Sequence, residues 1–220
     1  MKIGGEDTGE DQLLRMQLVE RIKGKGITNQ SVLKALLTIP RHFFINPSQK
    51  ELAYADRPLA IGEGQTISQP YTVAYQTQLL DITPGDRILE IGTGSAYQAC
   101  ILSEMGAEVY TIERQKKLYA KYQHSEFLRA FKNVHFFYGD GHEGLPQFAP
   151  FDKILITAAT PVIPAALVQQ LKSGGILVVP LGGTDQSQMM MRITKGSDGR
   201  LLSENFDRFN FVPLLPGTNH

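Results

Sequence analysis

The spacing of apolar residues changes character near residue 82. Before it, Leu14, Leu18 and Ile22 recur at helical intervals from Leu13 onward, and Gly24 and Gly26 close that pattern. A second short helix fits residues 31–37, with Val32, Leu33, Leu36 and Leu37 on one side and Pro40 as its stop. Residues 41–70 keep no period and are broken by several Pro and Gly, so they read as a long irregular stretch of the kind used for lids and binding loops. A third helix is predicted over 71–81.

After the turn Thr83-Pro84-Gly85-Asp86, short apolar runs alternate with helical patterns. Strands are predicted at 87–91, 108–112, 134–138, 153–157 and 176–180, with helices at 96–105, 115–130 and 164–171 between them. Such alternation predicts a parallel sheet covered on both faces. Two further strands, 188–193 and 206–213, have no helix between them and read as an antiparallel hairpin on the sheet edge. The expected fold is therefore α/β and doubly wound: a mostly parallel, seven-stranded Rossmann-like sheet behind an N-terminal helical cap.

Composition narrows the class. At 220 residues and 24.4 kDa, with 42% hydrophobic and 20% charged positions, the chain suits one domain with a sizeable core. Twenty-two basic residues balance twenty-two acidic ones, which argues against a general polyanion surface and hence against a nucleic-acid partner. The acidic stretch 1–10 has no apolar run and does not read as a secretory signal. No segment approaches the roughly 18 apolar residues of a membrane span. The single Cys100 suits a reducing compartment and reads as a small buried hydrophobe. Together these predict a cytoplasmic protein. The five histidines, His42, His124, His135, His142 and His220, show no paired ligand spacing, so no metal is expected.

The strongest chemical signal is Leu89-Glu90-Ile91-Gly92-Thr93-Gly94-Ser95, a strand running into a Gly-x-Gly turn and then a helix. In open α/β sheets ligands sit beyond the carboxyl ends of the strands, and glycines there let the backbone approach them. Glu113 ends the next strand, where a carboxylate can accept from both hydroxyls of a ribose or simply face solvent. The third glycine of the dinucleotide fingerprint is replaced by Tyr97, and no Gly-Lys-Ser/Thr follows the turn. Glu90 would suit a positive group better than a phosphate. S-adenosylmethionine, with an adenosine, an amino group, a sulfonium and no phosphate, fits this pattern. Asp140-Gly141, after the third strand, lies where an adenine would be read, or is simply part of a Gly-Asp-Gly turn. Glu90, Gly92, Thr93, Gly94, Ser95, Glu113, Asp140 and Gly141 are the candidate cofactor-binding residues. A dinucleotide-dependent oxidoreductase and a non-catalytic S-adenosylmethionine-binding module are the competing classes.

The chain also resembles the protein-L-isoaspartate O-methyltransferase family from about Leu13 to Leu214. The resemblance rests on Glu90–Gln98 (EIGTGSAYQ), Ile39-Pro40-Arg41, Thr157-Ala158-Ala159, Pro180-Leu181-Gly182, the final Phe211-Val212-Pro213-Leu214 and, most specifically, Ile61–Pro70 (IGEGQTISQP). It departs at Ala96, where the family has glycine, and at Thr160, where alanine or proline is commoner. The resemblance implies methyl transfer from S-adenosylmethionine to the free α-carboxylate of isoaspartyl residues, leaving S-adenosylhomocysteine and an ester that collapses to a succinimide. It implies Ser68 as the residue that holds the acceptor, and Gln65, Thr66 and Ile67 as a cover over the cofactor. Residues 1–82 would then supply helices and the active-site loop, and 83–220 the cofactor-binding core, in a single domain acting on damaged proteins and peptides; the sequence leaves the oligomeric state open, with a monomer favoured. The acceptor is ionised at neutral pH, so no general base is expected. The Asp/Asn-Pro-Pro-Tyr/Phe motif of amino-group methyltransferases is absent after the fourth strand.

Overall fold

The computed structural model describes residues 6–123 and 125–219; His124 and His220 lie outside the described residues. Helix α1 spans Gly9–Gly24 and begins four residues before the apolar period does. Its start is set by a capping box: the Thr8 hydroxyl accepts from Asp11 N–H at 3.2 Å, and the Asp11 carboxylate accepts from Thr8 N–H at 3.1 Å. The acidic leader thus ends inside the helix, and Asp7 is tied to Arg15 at 2.8 Å. Helix α2 (Gln30–Thr38) is capped by the Asn29 side chain.

The stretch expected to be irregular contains two 3₁₀ turns, Arg41–Phe44 and Pro47–Leu52, and a small hairpin of β1 (Leu59–Gly62) and β2 (Gln65–Ile67). Glu63 (φ 51°) and Gly64 (φ 68°) form its two-residue turn, both left-handed as tight hairpins demand. Strands of three and four residues are too short for alternation to reveal. Helix α3 (Pro70–Leu80) follows, with Pro70 in its first turn.

The main sheet contains β3 (Arg87–Ile91), β4 (Glu108–Glu113), β5 (Val134–Tyr138), β6 (Phe151–Ile156), β7 (Leu171–Leu181), β8 (Gln188–Lys195) and β9 (Leu201–Phe209). Their order is β5-β4-β3-β6-β7-β8-β9, parallel from β5 through β7 and antiparallel for the β7–β8 and β8–β9 pairs. Helices α4 (Tyr97–Glu104), α5 (Lys116–Gln123) and α6 (Ala165–Gln170) supply the connections. This is the expected doubly wound sheet with its antiparallel edge. Ile88, Leu89, Ile154, Leu155, Leu177 and Val178 are fully buried in its centre, and Cys100 is buried on α4.

Three boundaries move, the first being β7, which begins at Leu171 and not at 176. The 115–130 helix stops at Gln123 and gives way to a 3₁₀ turn at Leu128–Ala130. The last strand runs over Leu201–Phe209, not 206–213. Residues after Phe209 leave the sheet because Gln188 Oε1 takes Phe211 N–H at 2.9 Å, and Pro213 has no N–H to give to a ladder. That segment turns toward the strand ends: Ala159 N–H donates to Val212 O at 2.8 Å, and Leu214 N–H to Ala159 O at 2.7 Å.

Candidate active site

Strand β3 is flanked by β4 on one side and β6 on the other, so the strand order reverses there. The crevice beyond such a reversal is where open α/β sheets bind ligands. A cavity lies in it, walled by the loop after β3, by Glu113 and Arg114, by Gly141, by Thr157, by residues 65–68 and by Val212–Leu215.

The glycine turn is held from several sides. Gly92 and Thr93 N–H both donate to Ile112 O, at 3.0 and 3.2 Å. Gly92 has φ 96°, and a Cβ there would stand 2.6 Å from Thr157 Oγ1. The Thr157 hydroxyl lies 2.9 Å from the carbonyl oxygens of both Ile91 and Gly92. Glu113, 5% exposed, accepts from Gly94 N–H and Gln115 N–H, both at 2.8 Å. Burial pushes its pKa up, and those N–H groups oppose the rise. Each of its oxygens keeps a further acceptor site.

These contacts test what the cavity can hold. A pyrophosphate needs free N–H groups at the glycine turn. Here the Gly94 N–H is already given to a carboxylate, and a second anion beside Glu113 would be repelled. An uncharged ribose or a cationic ligand meets no such conflict. The cavity therefore suits S-adenosylmethionine better than a dinucleotide.

The sequence pattern of the protein-L-isoaspartate(D-aspartate) O-methyltransferase family matches residues 14–219. The chain belongs to this family. It is 48% identical over 214 residues, 97% of this chain and 100% of the relative, to the protein-L-isoaspartate O-methyltransferase of Flavobacterium psychrophilum. It is 47% identical over 208 residues to that of Dictyoglomus thermophilum, covering 94% of each chain. Among solved structures it superposes with a protein-L-isoaspartate O-methyltransferase at a TM-score of 0.81 and 28% identity, spanning 90% of this chain and 65% of that one. A structure described as the Plasmodium falciparum family member in complex with S-adenosyl-L-homocysteine gives a TM-score of 0.77 at 26% identity, over 91% and 98% of the two chains.

Of the residues singled out from the sequence, Gln65, Thr66, Ile67, Ser68, Gly92, Thr93, Gly94, Ser95, Glu113 and Gly141 come together on the cavity wall. Glu90 and Asp140 do not. Glu90 is fully buried behind Thr93, and burial pushes its pKa up to about 8. Its Oε2 accepts from the Thr111 hydroxyl at 2.5 Å, whose oxygen lies 2.7 Å from Thr93 Oγ1, while Oε1 has no partner. The Thr111 hydroxyl thus links Glu90 to Thr93, which lines the cavity. Glu90 meets the cavity only through that relay. Asp140 instead clamps the C-terminal segment, accepting from Gly217 N–H at 2.6 Å and His142 N–H at 2.8 Å. Burial raises its pKa, but these donors outweigh it and hold the carboxyl below its usual range.

Ala96 is left-handed, with φ 67° and ψ 7°, and buried. The position where the family has glycine is therefore not helical in this chain. Thr160 faces neither cavity: it is 2% exposed, and its hydroxyl donates to Val162 O at 2.6 Å.

A second cavity adjoins the first. Thr66, Ser68, Thr157 and Val212 belong to both walls, and Pro58, Tyr71, Arg208 and Phe211 help complete the second. Tyr97, Gln98 and Thr157 also line the first cavity, and sequence reasoning did not assign them a role there. Thr157 had a usable signal, as the residue just past β6. Spacing also gave no hint that Asp7, Asp11 and His42 bring ligand atoms within 4.8 Å of one another. Both carboxylates there are already bonded, Asp7 to Arg15 and Asp11 to Lys50 at 3.0 Å.

Proposed function

We propose that this protein transfers a methyl group from S-adenosylmethionine to the free α-carboxylate of L-isoaspartyl residues in damaged proteins and peptides, starting their repair through a succinimide. The observation that carries the reading in detail is the position of Ser68 on the wall shared by the two cavities. S-adenosylmethionine, when bound, supplies a sulfonium-activated methyl group. Gly92, Thr93, Gly94 and Ser95 form its floor, and Glu113 accepts from its ribose. The Thr93 hydroxyl meets its amino group, with Glu90 behind it through Thr111. Gly141 leaves room for the adenine ring, while Gln65, Thr66 and Ile67 close over the cavity and exclude water.

Ser68 holds the acceptor carboxylate from the adjoining cavity and aims one oxygen at the cofactor side. The acceptor arrives ionised, so positioning and desolvation carry the rate and no side chain has to remove a proton. We read the chain as one cytoplasmic, monomeric domain, residues 1–82 supplying the cap and the loop that bears Ser68, and 83–220 the cofactor-binding core.

The test is transfer of labelled methyl groups to a synthetic peptide pair, one with L-isoaspartate and one with aspartate. The expected result is base-labile label on the isoaspartyl peptide alone. Label on both, or on neither while cofactor still binds, would refute the acceptor assignment.

A further inference from the structure

Arg41 is the largest side chain that folding removes wholly from water, at 0% exposure. It opens the 3₁₀ turn Arg41–Phe44 directly after Pro40. Its Nη2 donates to the Ser68 carbonyl at 2.8 Å. Its guanidinium carbon lies 5.1 Å from the centroid of the Tyr97 ring, itself part of the first cavity's wall. Nε and Nη1 have no partner.

Nor does a carboxylate neutralise it. Asp56 is the acidic group whose field reaches Arg41. That carboxylate is engaged by Lys25 at 2.6 Å and by Tyr71 N–H at 2.9 Å. Burial lowers the pKa of Arg41 to about 10, which still leaves it charged at neutral pH. A buried charge without an ion-pair partner is costly, and an apolar side chain of similar volume would pack the same space at lower cost. The arrangement calls for a use.

We propose that Arg41 is a positioning residue of the acceptor site: from behind the loop it fixes the Ser68 peptide by its carbonyl and couples it to Tyr97, setting where the Ser68 hydroxyl stands between the two cavities. The proposal rests on the reading of Ser68 as holder of the acceptor carboxylate. Two features beyond the hydrogen bond support it. The substrate group is an anion, and a fixed cation in a low-dielectric interior draws an anion to the face of the loop it backs. The stack on Tyr97 ties that loop to the wall of the cofactor cavity, so one side chain sets the separation of donor and acceptor sides.

The test is a double-mutant cycle. Arg41→Met and Arg41→Lys are each made alone and in the Ser68→Ala background, with kcat, KM for an isoaspartyl peptide and S-adenosylhomocysteine affinity measured for all. Arg41→Met should lower kcat/KM about 10- to 100-fold with product affinity nearly unchanged, as expected when a charged hydrogen bond is lost and a reacting group shifts. Arg41→Lys, which keeps the charge but not the stacked fork, should lose about 3- to 10-fold. Both losses should shrink to about 3-fold or less in the Ser68→Ala background, because the hydroxyl they position is gone.

Equal losses in the two backgrounds would overturn the proposal and leave the Ser68 reading standing. Unchanged turnover in Ser68→Ala alone would remove the Ser68 reading, and this proposal with it. Should Arg41→Met fail to fold, the Arg41→Lys arm decides by the same comparison.

Discussion

Replacing Glu90 by glutamine should raise the stability of the cofactor-free protein relative to the native chain as pH rises from acid to neutral. An unfolded glutamate titrates near 4.5, whereas Glu90 in the fold titrates at about 8, because burial disfavours its charged form and the Glu113 carboxylate adds repulsion. Between those values the unfolded chain has released its proton and the folded chain has kept it. Stability therefore falls by about 1.4 kcal/mol for each pH unit above 4.5, amounting to about 3 kcal/mol by pH 7. An amide of the same shape carries no such proton. Its NH₂ group would occupy the place of Oε1, which has no partner, at a constant penalty of about 1–3 kcal/mol that does not vary with pH. The discriminating quantity is therefore the change with pH. Urea unfolding of both proteins between about pH 4.5 and pH 7 should show the variant gaining about 3 kcal/mol on the native chain. Asp7, Asp11, Asp56, Asp140 and Asp152, all held below their ordinary pKa, lose stability as pH falls, but equally in both proteins, so they cancel in the difference. A difference that stays flat across this range would refute the assignment of a retained proton to Glu90.

Three further outcomes are expected. Ser68→Ala should lower kcat about 10- to 100-fold while leaving S-adenosylhomocysteine affinity alone, since it removes one hydrogen bond to a charged acceptor; a loss confined to product affinity, read by calorimetry, would contradict this. Glu113→Ala should weaken cofactor binding by about 1–3 kcal/mol, and titration calorimetry showing native affinity would mean that Glu113 does not hold the ribose. Gly92→Ala should both destabilise the fold, by about 1–3 kcal/mol, and abolish cofactor binding, because the new Cβ would stand 2.6 Å from Thr157 Oγ1 at a φ of 96°; native thermal stability in a melting experiment would show that the turn can relax.

The parallel core was legible because its strands are long enough and buried enough to read as apolar runs bounded by Gly and Pro. The hairpin of β1 and β2 was not, since strands of three and four residues carry no period. The end of β9 failed for a different reason. Phe206, Phe209, Phe211 and Val212 read as one continuous strand, and what ends it is a side chain distant in sequence, Gln188, taking the Phe211 N–H. Long-range side-chain hydrogen bonds of this kind leave no local mark. The start of α1 was written in the sequence as Thr8 and Asp11, but apolar periodicity alone places it later.

The site was legible as a set of positions and less so as a network. Sequence distinguishes neither a carboxylate on a wall from one behind it nor a donor that is free from one already used. Glu90 and Glu113 both end up buried beside the glycine turn, yet only Glu113 faces the cavity. The choice of cofactor follows from that difference. Glycine turns of this kind bind phosphates when their N–H groups are free, and here Glu113 takes the N–H of Gly94. The carboxylate proposed to hold the ribose thereby occupies an N–H that a pyrophosphate would otherwise use. Tyr97 fills the third glycine position with a ring that Arg41 covers. Tyr97 thus stands both where the dinucleotide fingerprint needs a glycine and against the guanidinium that holds the Ser68 carbonyl.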